Sequence, residues 1–134
     1  MSTTVVIGFE PSGSARRACQ AGVELAKRLD AQIHLVTAFS DGPDADTRIT
    51  PERRRAERSV EGVALSCDPT GRSITTHALP GRTAATIVDV ATRVEADLIV
   101  VGNKGTRGAR RVLGSVAGAV TSHSPCAVLV VDSA

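Results

Sequence analysis

The sequence predicts an α/β fold, a single five-stranded parallel sheet with helices on both faces. Three observations carry that expectation. Five short runs rich in Val, Ile and Leu recur along the 134 residues, most of them closed by turn residues. The stretches between them repeat their apolar residues at the helical period. The chain can also bury roughly two thirds of its unfolded surface, so one core, and a single domain over residues 1–134, is expected.

Each element has its own signal. Thr4 to Phe9 (TVVIGF) reads as the first strand, ended by the turn cluster Glu10-Pro11-Ser12-Gly13. Ser14 can cap a first helix whose stripe is Ala15, Ala18, Cys19, Gly22, Leu25, Ala26 and Leu29. Cys19 lies inside that stripe and reads as a packed thiol. Gln32 to Phe39 (QIHLVTAF) is a second strand, and Ser40 to Thr50 a polar loop holding Asp41, Asp44 and Asp46. Pro51 opens a second helix. Its Ala56, Val60, Val63 and Ala64 form one side; Arg53, Arg54, Arg55, Glu57 and Arg58 form a solvated face with pairs such as Arg53 with Glu57.

Asp68 to Gly71 is a turn, and Ser73 to Leu79 (SITTHAL) a third strand ended by Pro80-Gly81. Ala84, Ile87, Val88, Ala91 and Val94 mark a third helix. Asp97 to Val101 (DLIVV) is apolar without alternation, as a strand covered on both faces should be. Ser115 to His123 is a last helix and Cys126 to Val131 (CAVLVV) a fifth strand. Strict alternation of strand and helix requires right-handed crossovers, hence a Rossmann-like sandwich.

Composition removes several functions. The chain has no Trp, no Tyr and only two Phe, too few for a platform on which single-stranded nucleic acid stacks. Sixteen basic residues against fourteen acidic leave a net charge of +2, which announces neither a nucleic-acid nor a membrane partner. Cys19, Cys67 and Cys126 are odd in number and widely spaced, excluding a disulfide framework or zinc knuckle. With no apolar run near the ~20 residues of a membrane span, a soluble, cytoplasmic protein is expected.

Ligands of open parallel sheets bind beyond the carboxyl ends of the strands. The stretch after the fourth strand is the unusual one, because Gly102, Gly105, Gly108 and Gly114 fall within thirteen residues. Glycine lets backbone N–H groups approach an anion closely. Gly114-Ser115 then opens a helix whose free N–H groups and positive dipole end favour phosphate. From Leu98 to Val131 there is no acidic residue, while Lys104, Arg107, Arg110 and Arg111 are basic. The loop has neither the Walker A pattern nor the Gly-x-Gly-x-x-Gly of dinucleotide folds. Gly102-Asn-Lys-Gly105 matches the Gly-x-x-Gly clamp of KH modules, but that clamp joins two helices and this one leaves a strand, which disfavours RNA.

Three stretches give the chain a family resemblance: VVIGFEPSGSARRA, PGRTAATIVDVATRVEADLIVVGNKG and VLGSVAGAVTSHSPCAVLVV. Together they cover nearly all of it, and it resembles the universal stress proteins, specifically their ATP-binding branch. That branch carries Gly-x-x-Gly, nine residues, then Gly-Ser or Gly-Thr; Gly102, Gly105, Gly114 and Ser115 take those positions with eight residues between. The resemblance implies ATP, with Mg2+ as its counter-ion, held by Gly102 and Gly105 along the ribose and phosphates and by Gly114, Ser115 and Val116 at the phosphates. It further implies backbone of Gly8 and Val101 at the nucleotide and Ala38 against adenine. Phe9 stands either at the base or in the core. Where the family has Asp-Gly-Ser, its Asp contacting the nucleoside, this chain has Glu10-Pro11-Ser12. Family members form homodimers through the last strand, and CAVLVV carries Val128 and Val130 on one face at what would be a hazardous open edge.

No nucleophile with a neighbouring base stands out. His34, His77 and His123 read as structural residues, and no metal-ligand motif is present. The resemblance therefore implies an ATP-binding dimeric regulator. Its alternative is a dimeric interaction module of the same fold that binds no nucleotide; a slow ATPase or self-phosphorylating enzyme ranks third.

Overall fold

The computed structural model describes residues 2–10, 15–40, 50–68, 74–103 and 113–132. Five parallel strands alternate with four helices: β1 (Thr4–Gly8), α1 (Ala15–Arg28), β2 (Gln32–Phe39), α2 (Pro51–Cys67), β3 (Ile74–Pro80), α3 (Thr83–Arg93), β4 (Leu98–Asn103), α4 (Ser115–His123) and β5 (Ala127–Asp132). The strand order is β3-β2-β1-β4-β5, so the winding reverses between β1 and β4. The expected α/β fold is the observed one.

Alternation along the strands divides the core in two. Val5, Ile7, Ile33, Leu35 and Val100 face α1 and α2, where Cys19, Val23, Ala26 and Val60 meet them. Val6, Val36, Ile99 and Val101 face α3 and α4, against Ile87, Val90, Ala91, Ala117 and Val120. β1 is buried along its whole length, which is why its pattern is a continuous β-branched run. Glycine brings helices close at two points. A Cβ on Gly22 would stand 2.8 Å from Ile7 Cδ1, and one on Gly8 only 2.2 Å from Ile87 Cδ1.

Local chemistry fixes the ends. Thr50 Oγ1 accepts from the Arg53 N–H at 3.1 Å and Pro51 occupies the first turn, so α2 starts where the sequence says it should. Arg53 Nε meets Glu57 Oε1 at 3.2 Å. The Ser14 cap and positions 69–71 of the expected turn lie outside the described residues. Cys19 is fully buried, and that burial pushes its thiol up to about 12, as a packed rather than reactive cysteine requires. β4 runs two residues further than expected, because Gly102 and Asn103 continue its pairing with Val131 and Asp132. Gly102 is thus a strand residue. Val128 and Val130 pack inward against the α3–α4 cluster, and the exposed apolar side chains of β5 are Ala127 and Leu129.

The two strand histidines meet. His34 Nδ1 and His77 Nε2 are 2.9 Å apart across β2 and β3, with ring centroids at 5.2 Å. Burial pushes both imidazoles below their usual 6.5, and for His77 the neighbouring His34 and the Arg93 guanidinium push the same way. Between 6.5 and those lowered values the unfolded chain binds more protons than the folded one. The pair's contribution to stability is therefore full above about pH 6.5 and lost as pH falls through the folded values. Urea midpoints should drop between about pH 7 and 5, and drop less in His34→Gln and His77→Gln. Equal slopes in wild type and variants would contradict the assignment.

Candidate functional site

The carboxyl ends of the strands open into a cleft of about 820 Å³. Glu10 enters it from the end of β1, and Ala38, Phe39 and Ser40 from the end of β2. The first turns of α2 supply Glu52, Arg55 and Ala56. Gly81, Arg82, Thr83 and Ala84 come from the β3–α3 turn, and Ser115, Val116 and Ala119 from the start of α4. The size suits a small ligand of nucleotide dimensions. A second depression of about 530 Å³ adjoins it through Arg55 and is otherwise lined by Pro51, Arg54 and Arg58.

Hydrogen bonds set the floor. The Phe9 N–H donates to the Val36 carbonyl at 3.1 Å, and Thr37 Oγ1 donates to the Phe9 carbonyl at 2.9 Å. Both backbone groups of Phe9 are engaged, and its side chain packs in the α1–α2 core. Of the two roles left open for Phe9, packing is the observed one. Its fixed backbone delivers Glu10, half-buried, to the cleft. On the far side the Gly81 N–H donates to the Phe39 carbonyl at 3.0 Å. Gly81 has φ +131°, which side-chain-bearing residues rarely adopt, and this turn carries Arg82 and Thr83 to the rim.

The start of α4 is the electropositive wall. Asn103 Oδ1 accepts from the Gly114 N–H at 2.6 Å, tying the end of β4 to the helix cap. The Gly114 carbonyl accepts the first helical bond, from the Gly118 N–H at 2.8 Å. With Gly114 as cap, the helix's free donors are the N–H groups of Ser115, Val116 and Ala117. No acidic residue stands in that first turn. Free N–H groups and the positive dipole end favour an anion where Ser115 and Val116 face the cleft.

Of the residues singled out from sequence, Glu10, Ala38, Ser115 and Val116 line the cleft. Gly8 lies beneath Ile87, Val101 is buried in the sheet, Gly102 is in β4, and Gly114 caps α4 through Asn103. Gly105, Pro11 and the basic residues Lys104, Arg107, Arg110 and Arg111 lie outside the described residues. Sequence reasoning missed Glu52, Arg55, Gly81 and Arg82. Pro80-Gly81-Arg82 closes a parallel strand at its carboxyl end, a signal that pointed here. Arg55 carried none, since it sits in an ordinary charged helical face. Among the described residues no three His, Cys, Asp or Glu side chains gather as metal ligands, and no helix is long and apolar enough to cross a membrane.

Sheet order, crossovers and cleft define the class: an open, doubly wound α/β protein with its cleft at the topological switch point. The chain belongs to the universal stress protein family, whose profile matches residues 1–132. A universal stress protein of Thermus aquaticus is 31% identical over 139 residues, covering 98% of this chain and 99% of its own. The crystal structure of a universal stress protein in complex with cAMP superposes with a TM-score of 0.78 at 26% identity, over 98% of both chains. The universal stress protein from Archaeoglobus fulgidus in complex with dAMP shares the fold at 21% identity, with a TM-score of 0.77 and 98% coverage of both chains.

Proposed function

We propose that this chain binds an adenine nucleotide, with ATP as the physiological ligand, and works as a cytoplasmic, dimeric, nucleotide-responsive regulator. The observation that carries this reading is the anion seat at the start of α4, opening onto a cleft of about 820 Å³. The base lies toward Ala38 and the β3–α3 turn, and the phosphates toward Ser115 and Val116. Gly102 flanks the ribose and phosphate path, the role the family resemblance also gives Gly105, with backbone of Gly8 and Val101 beneath. Mg2+ accompanies the triphosphate, carried by its phosphates. A relative of 26% identity that is described with cAMP supports a nucleotide of this class.

Glu10 tests the reading, because it stands in the cleft on a backbone fixed by Thr37. If its carboxylate accepts from the ribose hydroxyls, Glu10→Ala weakens ATP binding by about 1.5–3 kcal/mol, roughly ten- to a hundredfold. Glu10→Asp should then bind as well as wild type or better. Calorimetric titration of the three proteins decides it. A wild type that binds nothing beside a binding Glu10→Asp would favour the nucleotide-free interaction module.

Self-association is assigned to β5, one of the two edge strands, whose Leu129 is 38% exposed. Because Val130 packs inward, Leu129→Lys is the informative change. Sedimentation should give a dimer for wild type and a mostly monomeric Leu129→Lys protein. A monomeric wild type at tens of micromolar would end the dimer reading.

A further inference from the structure

The contact between His34 and His77 has no part in the cleft. His34 lies on β2 opposite Thr75, and His77 lies on β3 opposite Val36, so the rings reach diagonally across the strand pair. Alternation puts them on the sheet face that carries α3. That helix packs on β1 and β2, while β3 is an edge strand of the sheet. Both histidines are half-buried, and Thr75 beside them is exposed. Water therefore reaches the margin of the pair.

We propose that His34 Nδ1 and His77 Nε2 form a bidentate site for a divalent transition-metal ion of the copper(II) or nickel(II) kind. The spacing carries the argument. Two imidazole nitrogens bound about 2.05 Å from one ion, at right angles, stand roughly 2.9 Å apart; at a tetrahedral angle they stand about 3.4 Å apart. The observed separation is 2.9 Å. It is the separation of a hydrogen-bonded pair and equals that of adjacent positions on a square-planar or octahedral ion.

The protons balance. In the metal-free pair one ring donates its N–H to the other, and that proton must leave the contact when an ion enters. It moves through water to the second nitrogen of the donor ring, so two neutral imidazoles bind the ion with no net proton release. The opposing charge nearby is Arg93, whose guanidinium Asp89 Oδ2 holds at 3.2 Å. Among the described residues no third His, Cys, Asp or Glu completes the site, so its remaining positions belong to water.

Nickel(II) is the probe, because it does not oxidise the free cysteines Cys19, Cys67 and Cys126. Calorimetric titration of Ni2+ alone into the full chain should show saturable binding of one ion per chain. His34→Gln and His77→Gln should each weaken it at least tenfold, and His123→Gln should not. In wild type, paramagnetic Ni2+ should broaden the imidazole NMR resonances of His34 and His77 before those of His123, a readout that needs no variant to fold. Absence of saturable binding, equal binding by all variants, or broadening of His123 first would overturn the site.

Discussion

Gly8→Val should destabilise the fold by about 3 kcal/mol, at the upper end of the usual range for overpacking a core. A Cβ on Gly8 would stand 2.2 Å from Ile87 Cδ1 and 2.4 Å from Ile87 Cγ1, inside any real contact distance. Ile87 is fully buried between α3 and the sheet and cannot swing into solvent. Relief therefore requires α3 to move off β1, which opens the packing around Val6, Val36 and Val90. Urea denaturation measures the loss. Ile87→Ala should be strongly destabilising in wild type and much less so beside Gly8→Val, because the two changes share one space. Additive losses would show that Gly8 is not held by Ile87. A domain of this kind is stable by only about 5–15 kcal/mol, so the effect is large.

Gly114→Val should weaken ATP binding at least tenfold, about 1.4 kcal/mol, while leaving the helices in place. The backbone at Gly114 has φ −65° and ψ 172°, which valine adopts without strain, so α4 still forms. The added Cβ would stand 3.1 Å from Asn103 Oδ1, the atom that accepts from the Gly114 N–H at 2.6 Å. The branched methyl groups push Asn103 aside or fill the space in front of the free N–H groups of α4. Either outcome takes away the anion seat. Titration of variant and wild type, with circular dichroism as the folding check, gives the answer. Unchanged affinity in a folded variant would remove the phosphate role from this helix end.

The sheet was legible because it is made of local signals. β1 and β4 are apolar without alternation, a pattern a strand covered on both sides must have. Thr50-Pro51 announces α2 through cap chemistry contained in adjacent residues. The cleft was half legible. Glu10 and Ser115 follow from strand ends and a helix start, whereas Arg55 and Glu52 arrive only through the packing of α2 beside β2 and β3. Gly8 also has a packing reason to be glycine, because Ile87 occupies the space a side chain would take, and only the fold shows that. The meeting of His34 with His77 depends on a two-residue diagonal in a register that the sequence does not encode locally.

If the cleft takes an adenine nucleotide, calorimetric titration of ATP into the purified chain will read it. The absence of Trp and Tyr leaves the protein nearly transparent at 280 nm, so an absorbance spectrum first shows whether nucleotide near 260 nm has already come along. After its removal, one ATP per chain should bind saturably, with affinity lost in Gly114→Val. A nucleotide-free wild type that gives no saturable heat with millimolar ATP would contradict it.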